Sequence, residues 1–238
     1  MSLKVIYGMA KTGKTTECFN IIDNIINSST SKVLYIVPEQ YSLQTERNVS
    51  AKFSKRAMDR VEVLSFERLA GRVFSMVGPV ICDYLDDNAK IMLVEKSIIK
   101  CSGKLAYFNK SSETTGFASV VYDAIKTFKK NCITVEMLRD LAENTEQISL
   151  KYKLRDLVLL YEEYNKFFNL PYADTDDNLT LLAEKIEKFN LFEDTYIIFD
   201  NFMSFTKQQL KVIEVLLKKS LGVIVTLTAD DLEYKNKF

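Results

Sequence analysis

The chain has 238 residues, of which 47% are hydrophobic and 27% are charged, and its 32 basic residues balance its 32 acidic residues. This composition is typical of a globular protein with one large domain or two small ones. Histidine is absent, which excludes Ser-His-Asp and Cys-His catalysis and histidine metal sites. No run of 18 apolar residues exists and the four cysteines form no CxxC pair. We therefore expect a cytoplasmic protein with free thiols and no membrane partner.

The first 80 residues alternate short apolar runs with amphipathic periodicity. The patterns predict strands at 3–7, 33–37 and 61–64, and helices at 14–26, 42–53 and 66–77. Continuous apolar runs of this length are typical of strands that are buried on both faces of a parallel sheet. This segment carries a net charge of +4, which indicates an anionic ligand.

The middle of the chain lacks strand patterns, and strands return near the end. Helical periodicity predicts helices at 88–101, 116–131, 134–145, 151–168 and 176–189. Asp174, Asp176 and Asp177 are interpreted as helix-capping residues rather than as a metal site. Strands are predicted at 195–199 and 222–228, around a helix at 208–219. The alternation predicts an α/β domain with a parallel sheet, formed by residues 1–80 and 192–238 and interrupted by an all-helical insertion at 81–191.

Residues 8–15 read Gly-Met-Ala-Lys-Thr-Gly-Lys-Thr, which matches the phosphate loop G-x-x-x-x-G-K-[ST] between a predicted strand and a predicted helix. Backbone N–H groups of such a loop bind phosphate oxygens, so we expect ATP as the ligand. Lys14 would reach the β and γ phosphates, and Thr15 would ligate Mg²⁺. The predicted nucleotide-binding residues are Gly8, Met9, Ala10, Lys11, Thr12, Gly13, Lys14, Thr15 and Thr16. A chance match in an ordinary strand–turn–helix is the alternative.

Asp200 follows the apolar run at 195–199, at the end of a strand where α/β proteins place their sites. We predict that Asp200 and Thr15 hold Mg²⁺, and that Asp200 and Asn201 occupy the catalytic positions. The alternative is that Asp200 only caps a turn. Hydrolases of this class usually place a glutamate after the aspartate to activate water, whereas an asparagine amide cannot accept a proton. The sequence therefore predicts nucleotide binding with little or no hydrolysis by this chain alone.

Longer strings surround this skeleton: VPEQ at 37–40, LSFERLA at 64–70, DNFMSFT at 200–206 and VTLTAD at 225–230. Their order resembles the first motor domain of superfamily 1 DNA helicases. More closely, it resembles the N-terminal region of the AddB protein of the bacterial ATP-dependent helicase/deoxyribonuclease AddAB, over essentially all 238 residues. The resemblance implies a P-loop NTPase (RecA-like) fold, with a helicase-like domain 1A and a helical subdomain 1B.

The same resemblance implies a function in the repair of double-strand breaks by recombination. The expected partners are single-stranded and broken duplex DNA, and the helicase/nuclease protein AddA in a heterodimer. The motor would be degenerate, in agreement with Asn201. The family's nuclease domain and its iron–sulfur cluster would lie in a C-terminal part outside this chain, so we expect a fragment without a nuclease site.

By this resemblance, DNA contacts are expected on the loops after the second and third strands. The candidate residues are Gln40, Tyr41, Arg47, Ser65, Phe66 and Arg68. Tyr41 and Phe66 could stack on bases, and the densest basic stretch runs from Arg47 to Arg72. The alternatives are that Phe66 anchors a helix in the core and that the cations form a solvated face.

Two other functions remain open at this point. One is an active, DNA-stimulated ATPase or helicase. The other is a small phosphotransferase such as a nucleoside kinase, which also uses a phosphate loop. The long helical insertion weighs against the second.

Overall fold

The computed structural model describes residues 2–78, 83–168 and 172–229. The strands, in chain order, are β1 (Leu3–Gly8), β2 (Lys32–Ile36), β3 (Val61–Leu64), β4 (Asp83–Tyr84), β5 (Tyr172–Ala173), β6 (Thr195–Phe199) and β7 (Gly222–Thr228). The helices are α1 (Lys14–Ser28), α2 (Glu39–Lys52), α3 (Lys55–Met58), α4 (Phe66–Val77), α5 (Asp87–Cys101), α6 (Phe117–Lys130), α7 (Val135–Asn144), α8 (Ile148–Asn165), α9 (Asn178–Lys188) and α10 (Lys207–Lys219). No helix within the described ranges combines the length and the apolar character needed to cross a membrane.

Five strands form one parallel sheet in the order β1-β7-β6-β2-β3. All five strands were predicted from apolar runs, and the predicted α/β class with a parallel sheet is confirmed. The runs are continuous because helices cover both faces of the central strands.

Each face of the sheet has its own hydrophobic core. On one face, α4, α9 and α10 pack against alternate residues of the strands, such as Ile36, Phe199 and Val225. On the other face, α1, α2 and α3 pack against the intervening residues, such as Tyr35 and Ile198. The strand residues that alternate along the chain are therefore divided between two cores.

The carboxyl ends of the parallel strands meet at one edge of this sheet. Gly8 at the end of β1 pairs with Thr228 at the end of β7. The backbone N–H of Asp200, just past β6, donates to the carbonyl of Ile36 at the end of β2, at 3.0 Å. The loops that follow β1, β6 and β2 are therefore neighbours.

The chain divides into two compact units, Met1–Pro79 with Leu179–Phe238, and Val80–Asn178. The α/β unit includes residues 179–191, which the sequence pattern assigned to the insertion. The reason is that Leu182, Ala183 and Ile186 of α9 are buried in the core against the sheet. The predicted start of the insertion at residue 81 lies outside the described residues, as does Asp230.

The second unit contains α5 to α8 and the two-residue parallel pair β4–β5. Its core contains a buried ion-pair network in addition to apolar side chains. Lys90 and Lys129 each donate to the carboxylate of Asp174, at 2.8 and 2.7 Å, and Tyr164 donates to the same group at 3.1 Å. Asp174 also accepts from the N–H of Asp176 as a cap, which agrees with the capping interpretation.

Candidate nucleotide-binding site

The loop between β1 and α1 depends on its two glycines. Gly13 has φ +91°, a left-handed conformation that glycine adopts without strain. A Cβ at Gly8 would lie 2.7 Å from Thr12 Oγ1, which itself donates to the carbonyl of Met9 at 2.8 Å. The loop therefore folds back so closely that the first position has no room for a side chain.

The loop leads directly into the N-terminus of α1. Gly13 occupies the cap position and supplies no side-chain acceptor for the N–H groups of the first turn. Several other helices in the chain begin with a side-chain cap, among them Ser65 for α4, Asp86 for α5, Thr134 for α7 and Thr206 for α10. The first turn of α1 combines uncapped donors with the positive end of the helix dipole, which suits an anion.

Lys14 closes the loop from above. Its ammonium group donates to the carbonyls of Gly8 and Met9, at 2.8 and 2.7 Å. An ammonium group has three N–H donors, so one of them has no partner within the described ranges. This arrangement fixes the position of the positive charge over the loop while keeping one donor for a ligand.

Asp200 is the most highly coordinated side chain at this edge of the sheet, and it is only 1% exposed. Its Oδ2 accepts hydrogen bonds from Thr15 Oγ1 at 2.8 Å, from the phenol of Tyr35 at 2.6 Å and from Asn201 Nδ2 at 3.3 Å. Its Oδ1 accepts from Thr226 Oγ1 at 2.6 Å. The predicted pair of Thr15 and Asp200 is thus brought together, and the aspartate does more than cap a turn.

Two neighbours of Asp200 keep their protons at neutral pH. Burial, and then the negative charge of Asp200, raise the pKa of Tyr35 above its usual value, so the phenol acts as a donor. The same two causes raise the pKa of the Cys18 thiol to about 12. The thiol is therefore not a nucleophile at this site, because only the thiolate attacks.

Asn201 adopts a left-handed backbone conformation, with φ +65°. Asparagine is one of the few residues other than glycine that adopt it at low cost. The side chain is exposed and lines a cleft of about 390 Å³ together with Thr228 and loop residues 10–16. This volume lies within the usual range for small-molecule sites.

The residues present fit Mg²⁺ in the company of phosphate. Magnesium takes oxygen ligands, keeps several waters and is usually bound through one or two carboxylates plus substrate phosphates. Thr15 and Asp200 supply one hydroxyl and one carboxylate beside the phosphate loop. Within the described part of the chain, no cluster of three or more acidic or cysteine side chains could hold a metal unaided. The oxygen set is therefore that of a cation shared with a phosphate ligand.

The predicted DNA-contacting residues fall into two groups. Gln40, Tyr41 and Arg47 lie on α2, whose first turn begins immediately after Pro38. Gln40 and Tyr41 are exposed, and Arg47 is partly exposed. All three lie on a helix rather than on a loop, because Pro38 can precede a helix and here occupies its cap position.

The second group is largely withdrawn from the surface. Ser65 is buried and caps α4 by accepting from the N–H of Arg68. Phe66 is 2% exposed and stacks on Phe199, with ring centroids 5.5 Å apart. Its ring is a core anchor and not a base platform, which corrects the stacking prediction. Arg68 is exposed but ion-paired with Glu46.

Tyr35 and Thr226 were missed as site residues. Both lie inside strands whose apolar pattern marks them as core positions, and both are buried. Their hydroxyl groups were the only available signal, and that signal has no direction until the strand order is known.

The parallel sheet, the loop after β1 and the carboxylate after β6 define the chain as an α/β protein with a RecA-like fold. A family profile described as "ADDB, N-terminal" matches residues 5–238, and the chain belongs to this family.

Several relatives are named as the B component of an ATP-dependent helicase/deoxyribonuclease. The chain is 39% identical over 231 residues to the protein of Clostridium tetani, covering 95% of this chain and 20% of the relative. It is 38% identical to those of Clostridium acetobutylicum, over 231 residues, and Clostridium perfringens strain SM101, over 232 residues. These two matches each cover 97% of this chain and 20% of the relative. The chain thus spans about a fifth of the length of these relatives.

Proposed function

We propose that the chain binds ATP with Mg²⁺ at the loop of residues 8–16, as the nucleotide-binding, helicase-like domain of an AddB-type protein. The observation that carries this proposal is the hydrogen bond between Thr15 Oγ1 and Asp200 Oδ2. It places an oxygen pair suited to Mg²⁺ next to uncapped helix N–H groups and the Lys14 ammonium.

Each group has a distinct task in this proposal. The N–H groups of the loop and of the first turn of α1 bind phosphate oxygens, and the third N–H of Lys14 donates to the terminal phosphates. Thr15 contributes a direct ligand, and Asp200 holds the cation through water. When bound, Mg²⁺ neutralises part of the phosphate charge.

Hydrolysis by this chain is not expected. The residue after Asp200 is Asn201, whose amide cannot take a proton from an attacking water. The nucleotide would then act as a structural ligand or switch rather than as a fuel. An active DNA-stimulated ATPase is the alternative, and a phosphotransferase is a weaker one.

The relatives' name supports a role in DNA repair. We propose that the chain works within a helicase/deoxyribonuclease complex with AddA as its partner, on single-stranded and broken duplex DNA in the cytoplasm. The nuclease site and its iron–sulfur cluster would belong to other parts of the assembly. Within this chain, the side chains of Gln40, Tyr41 and Arg47 are the candidates for DNA contact.

Isothermal titration of this chain with ATP, with and without Mg²⁺, tests the proposal. Lys14→Ala should abolish binding, because the loop loses its ammonium group. Lys32→Ala is the matched control, since Lys32 is an exposed lysine at the opposite end of the strands. Equal ATP binding by the wild type and Lys14→Ala would contradict the proposed site.

A turnover assay separates the alternatives. We expect no steady release of phosphate, with or without single-stranded DNA. DNA-stimulated turnover would favour the active ATPase, and transfer of phosphate to a nucleoside would favour the phosphotransferase.

A further inference from the structure

We infer that Tyr35 is a positioning residue for the metal-holding carboxylate. Its phenol on β2, acting together with the hydroxyl of Thr226 on β7, orients Asp200 for Mg²⁺. This inference rests on the proposed function and names residues that neither the loop motif nor the strand-end aspartate includes.

The geometry holds Asp200 from both sides. Strands β2 and β7 are the two neighbours of β6 in the sheet. The Tyr35 phenol donates to Oδ2 and the Thr226 hydroxyl donates to Oδ1, each at 2.6 Å. Rotation of the carboxylate about its Cβ–Cγ bond would break both hydrogen bonds at once, so the plane of the group is fixed.

Burial makes this restraint strong. Tyr35 is fully buried, and its ring packs against Phe19 with centroids 5.8 Å apart. Hydrogen bonds to an ionised acceptor in such surroundings are stronger than neutral ones at the surface. The ring position is set by packing, so removal of the phenol oxygen alone leaves the ring in place.

The metal is the expected beneficiary because Mg²⁺ requires nearly ideal octahedral geometry. Partners that orient a ligand from behind typically contribute about 10–100-fold to metal affinity. Tyr35 makes no hydrogen bond to loop residues 8–16 among the described contacts. Its contribution should therefore appear in metal affinity and not in the affinity of the nucleotide alone.

The test compares Tyr35→Phe with the wild type in this chain. Mn²⁺ replaces Mg²⁺, and its dissociation from the protein–ADP complex is measured by electron paramagnetic resonance. ADP affinity is measured separately in EDTA. We expect Mn²⁺ to bind about 10-fold more weakly to Tyr35→Phe, while ADP affinity in EDTA changes less than about twofold.

Tyr196→Phe is the matched control, because it removes the same atom from a half-buried tyrosine on β6 that has no contact with Asp200 among the described residues. Thr226→Val is the second variant and should also weaken Mn²⁺ binding. It keeps the inference testable if Tyr35→Phe loses its circular dichroism spectrum.

Unchanged Mn²⁺ affinity in a folded Tyr35→Phe would overturn the inference and leave the proposed function intact. Equal weakening of ADP with and without metal would also overturn it, since the phenol would then have only a structural role. Absence of both ADP and Mn²⁺–ADP binding in the wild type would overturn the proposed function together with the inference.

Discussion

Thr15 and Asp200, which are 185 positions apart in the sequence, are joined by a hydrogen bond of 2.8 Å from the threonine Oγ1 to the carboxylate Oδ2. The bond connects the first turn of α1 to the end of β6 and spans the whole helical unit along the chain. The candidate site is therefore assembled from both segments of the α/β unit, and neither segment contains it alone.

Asp200→Asn should remove the metal-dependent part of nucleotide binding. The amide has nearly the same shape, but its NH₂ group would face hydroxyl groups that now donate, and the charge is lost. We expect ATP affinity with Mg²⁺ to fall to the level measured in EDTA. Titration calorimetry under both conditions is the measurement. An affinity that still depends on Mg²⁺ would show that Asp200 does not hold the cation.

Asn201→Glu should introduce slow ATP turnover, because a carboxylate then follows Asp200 and can accept a proton. The left-handed backbone at this position costs a glutamate about 1–2 kcal/mol, so some loss of stability is expected. Asn201→Gln is the control, since it imposes a similar backbone strain without a base. Turnover in both variants, or in neither, would show that the missing carboxylate does not limit hydrolysis.

Tyr41→Ala and Phe66→Ala should have opposite effects. Tyr41 is 41% exposed, and loss of base stacking would weaken single-stranded DNA binding by about 1–3 kcal/mol, measured by fluorescence anisotropy. Phe66→Ala should destabilise the fold by about 3–5 kcal/mol, measured by urea unfolding, because it opens a cavity among stacked rings. Tyr152→Ala, a similarly exposed tyrosine of the helical unit, is the control for Tyr41. Equal effects of the two tyrosine variants on DNA binding would argue against a site on α2.

The helical unit should lose stability in acid. Burial alone would raise the pKa of Asp174, but the charges and hydrogen bonds of Lys129 and Lys90 outweigh it and lower the pKa from 3.8 to about 2. The ionised carboxylate thus stabilises the fold above pH 4, and this contribution is lost as the pH falls from about 4 to about 2. Thermal melting across this range is the measurement.

Asp174→Asn should cost about 3–5 kcal/mol at pH 7, since two buried ammonium groups lose a shared counter-charge. It should also flatten the acid dependence of the melting temperature. Asp140→Asn, on an exposed position of α7, is the control and should leave both properties unchanged. A melting curve of Asp174→Asn that keeps the wild-type acid dependence would assign that dependence to other carboxylates.

The sheet was predictable because buried parallel strands leave continuous apolar runs, as at Val33 to Val37. The phosphate loop was predictable because its glycines answer local backbone demands. The surroundings of Asp200 were not, because Tyr35 and Thr226 reach it from strands 165 and 26 positions away. The α3 helix has four residues, too few for periodicity to appear. The burial of Phe66 depends on the packing of Phe199 and Phe202, which the local pattern does not specify.

The pairing of β1 with β7 also sets an order of events during synthesis. β1 lies at the edge of the sheet beside β7, whose residues are among the last that the structure describes. The helical unit is continuous in sequence, so its contacts can form as soon as it leaves the ribosome. The first strand and its loop wait for β7, which takes on the order of ten seconds or more at ordinary rates of translation. The nucleotide site is thus completed after the helical unit, and ATP can stabilise only a chain that has been made as far as β7.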